Sequence, residues 1–206
     1  MQNPTPQALL FDLGGVVLDI DFDRAFKVWS VNSQLTYDEI KNVFAFDEPY
    51  QRHERGEIGA SEYYDHLVRT LRIDTGHAKL AQGWNSIYVG EIAETVEIVQ
   101  AIRKQIPCFA FTNTNAAHMA AWTSMFPSLA SSFDKIFASH LMGLRKPELR
   151  AFEHVAQTVG VAPGSILFFD DLLENVEGAI AAGLPSIHVR TPTDVRNALI
   201  AFGFAL

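Results

Sequence analysis

The sequence has little cysteine, little basic charge and no long apolar run. Its one cysteine is Cys108. A single thiol excludes an internal disulfide and any metal site built on several cysteines. It fits a reducing compartment. Cys108 lies in the apolar stretch 107–111 and reads as a buried structural thiol. Lysine and arginine number 16 against 24 aspartates and glutamates, a net charge of −8. Grip on a nucleic-acid backbone needs a basic surface, so that partner is excluded. Polybasic attraction to an anionic membrane is missing too. No apolar run approaches the ~20 residues of a membrane span. Residues 1–7 lack the basic start and apolar stretch of a secretion signal, so a cytoplasmic protein is expected. The seven histidines form no HxxxH or HxH pair, which argues against a histidine-built transition-metal site. GxGxxG and GxxxxGK[ST] fingerprints are absent, which weakens nucleotide-fold readings.

What is present points to a packed domain. The 206 residues are 48% hydrophobic and include 15 phenylalanines, enough for a sizeable core and too apolar for disorder. Short apolar runs cover 8–11, 108–111, 135–138, 166–169 and 186–189, and each reads as a buried strand. Helical patterns fill 93–104, 116–125, 148–159 and 175–182, with Gly183 as a stop for the last. Strands alternating with helices predict an α/β fold, a three-layer Rossmann-like core with a parallel sheet covered on both faces. The stretch after the first strand differs. Phe22, Phe26 and Trp29 share one helical face, and Tyr63, Leu67 and Leu71 another. The expected division is a core of residues 1–20 and 91–206 with an inserted helical-bundle cap at 21–90.

Ligands of open parallel sheets bind beyond the carboxyl ends of the strands. Here those ends carry Asp12, then Thr112 and Asn113, then Asp170 and Asp171, while Lys146 precedes the helix before the fourth run. Carboxylates from two strand ends can hold a hard cation such as Mg²⁺, which prefers oxygen donors and substrate phosphate. A lysine, a hydroxyl and an amide can hold the remaining phosphate oxygens. A carboxylate can also attack phosphorus. These residue types fit metal-assisted phosphoryl transfer to water.

The blocks FDLGGVVLD (11–19), FTNTN (111–115), RKP (145–147) and FFDDLLENVEGA (168–179), in this order, resemble the four motifs of the haloacid dehalogenase superfamily. The insertion resembles that superfamily's small helical cap. HERGEI (53–58) and LRKPE (144–148) are similar to the bacterial α-D-glucose-1-phosphate phosphatase branch. The resemblance implies a Mg²⁺-dependent phosphatase acting on a small phosphorylated metabolite, such as a sugar-1-phosphate, as a monomer or homodimer. It implies Asp12 as nucleophile and metal ligand, with an aspartyl-phosphate intermediate. Thr112 and Asn113 would contact phosphate, and Lys146 would neutralise it and steady Asp12. Asp171 and the Gly14 carbonyl would ligate metal directly, and Asp170 through a metal-bound water. Asn175 would support this shell or cap its helix. His53 and Arg55, with Glu54 and Glu57, would contact sugar hydroxyls from a turn between cap helices; the rival reading is an ion-paired surface turn. Trp29 and Trp84 read as core packing ahead of a cavity wall.

One position departs from the superfamily pattern. The acid–base aspartate usual two residues after the nucleophile is replaced by Gly14. Such a group contributes roughly 10²–10⁴-fold. The sugar-1-phosphate branch shares this glycine, and an anomeric oxygen leaves more readily than a simple alkoxide. Asp19 and Asp21 read as solvated or helix-capping acids. Two alternatives stand beside the phosphatase: a non-catalytic or weakly active ligand-binding or regulatory member, which Gly14 favours, and a 2-haloacid dehalogenase, which Asp170 and Asp171 oppose by repelling a carboxylate substrate.

Overall fold

A computed structural model describes residues 5–206; residues 1–4, part of the polar N-terminal stretch, lie outside the described residues. The chain runs β1 (Ala8–Phe11), β2 (Leu18–Ile20), α1 (Phe22–Ser30), α2 (Tyr37–Val43), α3 (Glu48–Glu54), α4 (Ala60–Thr70), α5 (His77–Asn85), β3 (Tyr88–Glu91) and α6 (Ala93–Ile102). It continues through β4 (Cys108–Thr112), α7 (Ala116–Met125), β5 (Lys135–Ala138), α8 (Ser139–Met142), α9 (Leu149–Val159), β6 (Ile166–Asp170), α10 (Leu173–Ala181), β7 (Ser186–His188) and α11 (Pro192–Ala201).

The five apolar runs form one parallel sheet in the order β5-β4-β1-β6-β7. Successive strand side chains point to opposite faces. Ala8 and Leu10 of β1 therefore pack with Phe152, Val155 and Ala179 on one face. Leu9 and Phe11 join Val99, Trp122 and Val195 on the other. Continuous apolar runs, not alternating ones, are what a sheet buried on both faces requires. Cys108 is fully buried there, and burial pushes its thiol up to about 12. Gly183 follows α10 with φ +88°, the left-handed stop expected of it.

Register sets the level of the site. Leu10 lies opposite Phe109 of β4 and Phe168 of β6. The Asp12 amide donates to the Phe169 carbonyl at 2.8 Å, so Asp12 emerges level with Asp170.

Helices α1–α5 fill the insertion. Trp29 and Trp84 are fully buried and stack at 5.4 Å, and Trp29 Nε1 donates to the Leu80 carbonyl at 3.2 Å. Both are packing residues. Asp21 caps α1 by accepting from the Asp23 amide at 2.9 Å. Thr36 and Glu39 form a capping box on α2. The insertion is not purely helical, however. Where the chain leaves and re-enters the core, β2 and β3 pair as an antiparallel two-stranded sheet. Their sequences, LDI and YVGE, carry acids and a glycine, so neither shows an apolar run. Tertiary pairing, not local pattern, creates them.

Candidate active site

Three strand ends and one loop converge. Lys146 Nζ lies 2.8 Å from Asp12 Oδ1 and 2.7 Å from Asp170 Oδ2. Its side chain is 1% exposed, with the rings of Phe111 and Phe168 within 5.5 Å of Nζ. Asn113 fixes the lysine's backbone: its Nδ2 donates to the Lys146 carbonyl and its Oδ1 accepts from the Lys146 amide, both at 2.9 Å. Asp170 further accepts from the Leu172 amide at 2.8 Å and from Asn175 Nδ2 at 3.0 Å. Asn175 therefore holds a carboxylate and does not cap α10, whose N-cap residue is Leu172.

Two glycines make room for this loop packing. Gly15 has φ +73°, and a Cβ there would come within 2.2 Å of Asp171 Oδ2. A Cβ on Gly178 of α10 would stand 2.6 Å from the Pro147 carbonyl oxygen, so only glycine lets α10 approach the lysine loop. His188 Nε2 hydrogen-bonds with the Asp171 carbonyl at 2.9 Å.

Oxygens of Asp12, Asp170 and Asp171 lie within 4.8 Å of one another. Burial pushes the Asp12 carboxyl up to about 8; Asp170 and Asp171 add repulsion, while Lys146 opposes it. Burial, reinforced by Asp170, pushes Asp171 up to about 6. Burial works against the Lys146 charge too, but Asp12 and Asp170 outweigh it and hold its pKa above the usual value. Three clustered carboxylates against one ammonium leave excess negative charge in a poorly hydrated place. An all-oxygen set of this kind fits a hard divalent cation, which offsets that charge.

The cluster opens on a cavity of about 350 Å³. Asp12, Gly14, Thr112, Asn113, Lys146 and Asp171 line it; Asp170, fully buried, stands behind them. Among the insertion's residues, Tyr50 and Glu54 reach this cavity. Arg145 and His118 reach it from the core. Glu54 Oε2 accepts from Arg145 Nε at 2.8 Å, a pair whose side chains are only 6% and 13% exposed. Burial raises the Glu54 carboxyl, and Arg145 opposes the rise.

His53 and Arg55 do not line this cavity, contrary to the sequence expectation. Helix α3 extends through Glu54, so 53–55 is not an open turn. Neighbouring helical residues diverge by about 100°. Glu54 therefore faces the cavity while His53 turns away, its Nδ1 hydrogen-bonding with the Ile58 carbonyl at 3.1 Å and its ring stacking on Tyr63 at 4.7 Å. It lines a smaller hollow beside His140. Arg55 Nε donates to Glu148 Oε1 at 2.7 Å, which is the ion-paired rival reading. Glu54 is one of the four cap residues expected to contact substrate, and Arg145 lies in the block RKP beside Lys146.

Residues 6–183 match the haloacid dehalogenase-like hydrolase family, and the chain belongs to it. It is an enzyme of the hydrolase class by that membership. A sesquiterpene phosphatase of Aspergillus oryzae is 26% identical, the match covering 90% of each chain. A D-ribitol-5-phosphate phosphatase of Bacteroides thetaiotaomicron is 24% identical over 93% of this chain and 95% of its own. Among solved structures, a HAD-family enzyme of B. thetaiotaomicron in complex with magnesium and inorganic phosphate superposes with a TM-score of 0.77. That enzyme is 25% identical, over 88% of this chain and 92% of that one. The fold extends further, to L-2-haloacid dehalogenase from Xanthobacter autotrophicus, at 18% identity and a TM-score of 0.67, covering 98% of this chain and 85% of that one. No helix among the described residues is long and apolar enough to cross a membrane.

Proposed function

We propose that this chain is a Mg²⁺-dependent phosphomonoesterase that hydrolyses a small phosphorylated metabolite through an aspartyl-phosphate on Asp12. The observation that carries the reading is Lys146 Nζ, placed between Asp12 and Asp170 beside a third carboxylate at the cavity wall. Asp12 Oδ attacks phosphorus, the ester P–O bond breaks and the departing alkoxide takes a proton from water. Water then attacks the phosphorus of the acyl phosphate. Inorganic phosphate is released and the Asp12 carboxylate restored.

Lys146 neutralises the phosphate and orients Asp12. Thr112 and Asn113 contact phosphate oxygens, and Asn113 also fixes the Lys146 backbone. Asp12, Asp171 and the Gly14 carbonyl would hold Mg²⁺, and Asp170 would act through a bound water. When bound, Mg²⁺ relieves the repulsion among the carboxylates and offsets the charge of the phosphate. The relatives named as phosphatases, and the magnesium and phosphate in the B. thetaiotaomicron enzyme, support this assignment. Residues 1–20 and 91–206 act as the catalytic core and 21–90 as the cap that chooses the substrate. A buried lone thiol supports a cytoplasmic setting.

Within this reading, a sugar-1-phosphate is supported by the HERGEI resemblance, of which Glu54 reaches the cavity. A second reading, a weakly active ligand-binding member, is favoured by Gly14, which places no acid beside the leaving group. Dehalogenation is disfavoured, because Asp170 and Asp171 repel a carboxylate substrate. Phosphate release from a phosphorylated-metabolite panel, with Mg²⁺ and with chelator, separates these readings. Turnover that needs Mg²⁺ and is abolished in Asp12→Asn is expected; specific binding without turnover would favour the second reading.

A further inference from the structure

Much of the cavity wall is apolar. Leu18 and Ile20 of β2, Phe22 of α1, Phe46, Tyr88 of β3 and Trp122 of α7 line it. Three of these belong to the short strands that sequence pattern did not reveal, so the pairing of β2 with β3 helps to build this wall. Phe46 is 56% exposed and meets Phe22 edge-on at 5.6 Å, an aromatic left open where the cavity meets solvent. Exposed aromatics cost hydration, and at a cavity rim they are positioned to cover an apolar ligand.

Beyond the carboxylate–lysine cluster, the polar groups of the wall are those of Tyr50, Glu54, Tyr88, His118, Arg145 and Glu174. Glu54 and Arg145, the charged pair in that wall, already satisfy each other at 2.8 Å. Sugar hydroxyls would have to compete with a buried ion pair, at a cost in desolvation. His118, kept neutral because burial pushes its pKa down to about 3, offers one unpartnered ring nitrogen, Nε2. The nucleophile loop itself is apolar on this side. A Cβ on Gly14 would stand 3.0 Å from Ile20 Cδ1, so the glycine leaves Ile20 to occupy the space next to the loop. An isoleucine replaces the surroundings an acid would need.

From this division we infer that the substrate is a phosphate monoester of an alcohol with an apolar hydrocarbon or aromatic body. The phosphate lies at the carboxylate–lysine end, and the body lies among Ile20, Phe22, Phe46, Tyr88 and Trp122. Hydrolysis consumes water and yields the apolar alcohol and inorganic phosphate. The inference rests on the phosphomonoesterase reading for its chemistry and on the cavity wall for its specificity, and it replaces the sugar-1-phosphate that the HERGEI resemblance alone supports.

A matched pair of esters tests it. Hexyl phosphate and a hexitol 6-phosphate are both primary six-carbon esters and differ in their hydroxyls. The expected kcat/KM with Mg²⁺ is at least tenfold higher for hexyl phosphate than for the hexitol ester or glucose-1-phosphate. Phe46→Ser should narrow that ratio at least threefold. Equal rates, or faster hydrolysis of either sugar ester, would overturn the inference and leave the phosphatase reading intact. If no ester is hydrolysed, the phosphatase reading fails, and binding decides the specificity alone. Calorimetry with the wild-type protein should then show hexylphosphonate binding at least tenfold more tightly than methylphosphonate. Equal affinities would overturn it.

Discussion

A buried ammonium persists only where carboxylates compensate it, and Lys146 has two within 2.8 Å. Removing one partner of such a cluster strands the others, at about 3–5 kcal/mol. Lys146→Met is expected to lower urea-unfolding stability by about that amount. An unchanged midpoint would contradict the pairing. His118 gives a pH signature of its own. Burial pushes its imidazole down to about 3, whereas an unfolded histidine titrates near ~6.5. Between these values the unfolded chain takes up a proton that the folded chain does not. The associated stability is therefore complete above ~6.5 and is lost progressively as pH falls toward 3. His118→Gln should flatten the stability–pH curve in that window by up to about 1.4 kcal/mol per pH unit. Curves for the variant and wild type that stay parallel below pH 6 would refute this. At this scale the convergence of Asp12, Thr112 and Asp171 was legible, because strand ends are where the topology puts ligands; Lys146, on a loop, was legible only through its motif. Glu54 was legible only as one of four cap residues, and Arg145 only as part of RKP, because their meeting depends on how the insertion docks, which no local pattern encodes.

Consecutive residues at the end of α3 make ion pairs of different character with the lysine loop. Glu54–Arg145 is nearly buried, while Arg55–Glu148 is 23% and 32% exposed. Solvent screening limits the second to about 1 kcal/mol or less. The first should behave as a buried pair. Arg145→Met is expected to destabilise by about 3–5 kcal/mol, and adding Glu54→Leu should recover much of that loss. Glu148→Gln should cost about 1 kcal/mol at most. A double-mutant cycle in urea checks the contrast, and equal costs for both pairs would contradict it. The five sheet strands and the core helices were readable from apolar runs and 3.6-residue spacing. The pair β2 and β3 was not, because three- and four-residue strands carrying Asp19, Gly90 and Glu91 have too little pattern to read.

For the whole molecule, the net charge of −8 sets a problem for any anionic substrate. The fold answers it locally, by gathering Asp12, Asp170 and Asp171 where a divalent cation would reverse the field that the substrate meets. A ligand that binds only the folded state stabilises it by about 2.7 kcal/mol at one hundred times its dissociation constant. Saturating Mg²⁺ should raise the thermal midpoint of the wild type. The rise should shrink sharply in Asp171→Asn, and an equal rise in both proteins would place the cation elsewhere. The acidic surface and the cation site are then compatible, since distant surface charges are screened and those at the site are not.

The most direct measurement is acid-quench trapping during turnover of a hydrolysed phosphate ester, followed by peptide mass mapping. One phosphoryl group is expected on the peptide that contains Asp12, formed with Mg²⁺ present, lost on chelation and absent from Asp12→Asn. Phosphate release that continues undiminished in Asp12→Asn, or a phosphoryl group carried elsewhere in the chain, would contradict the account.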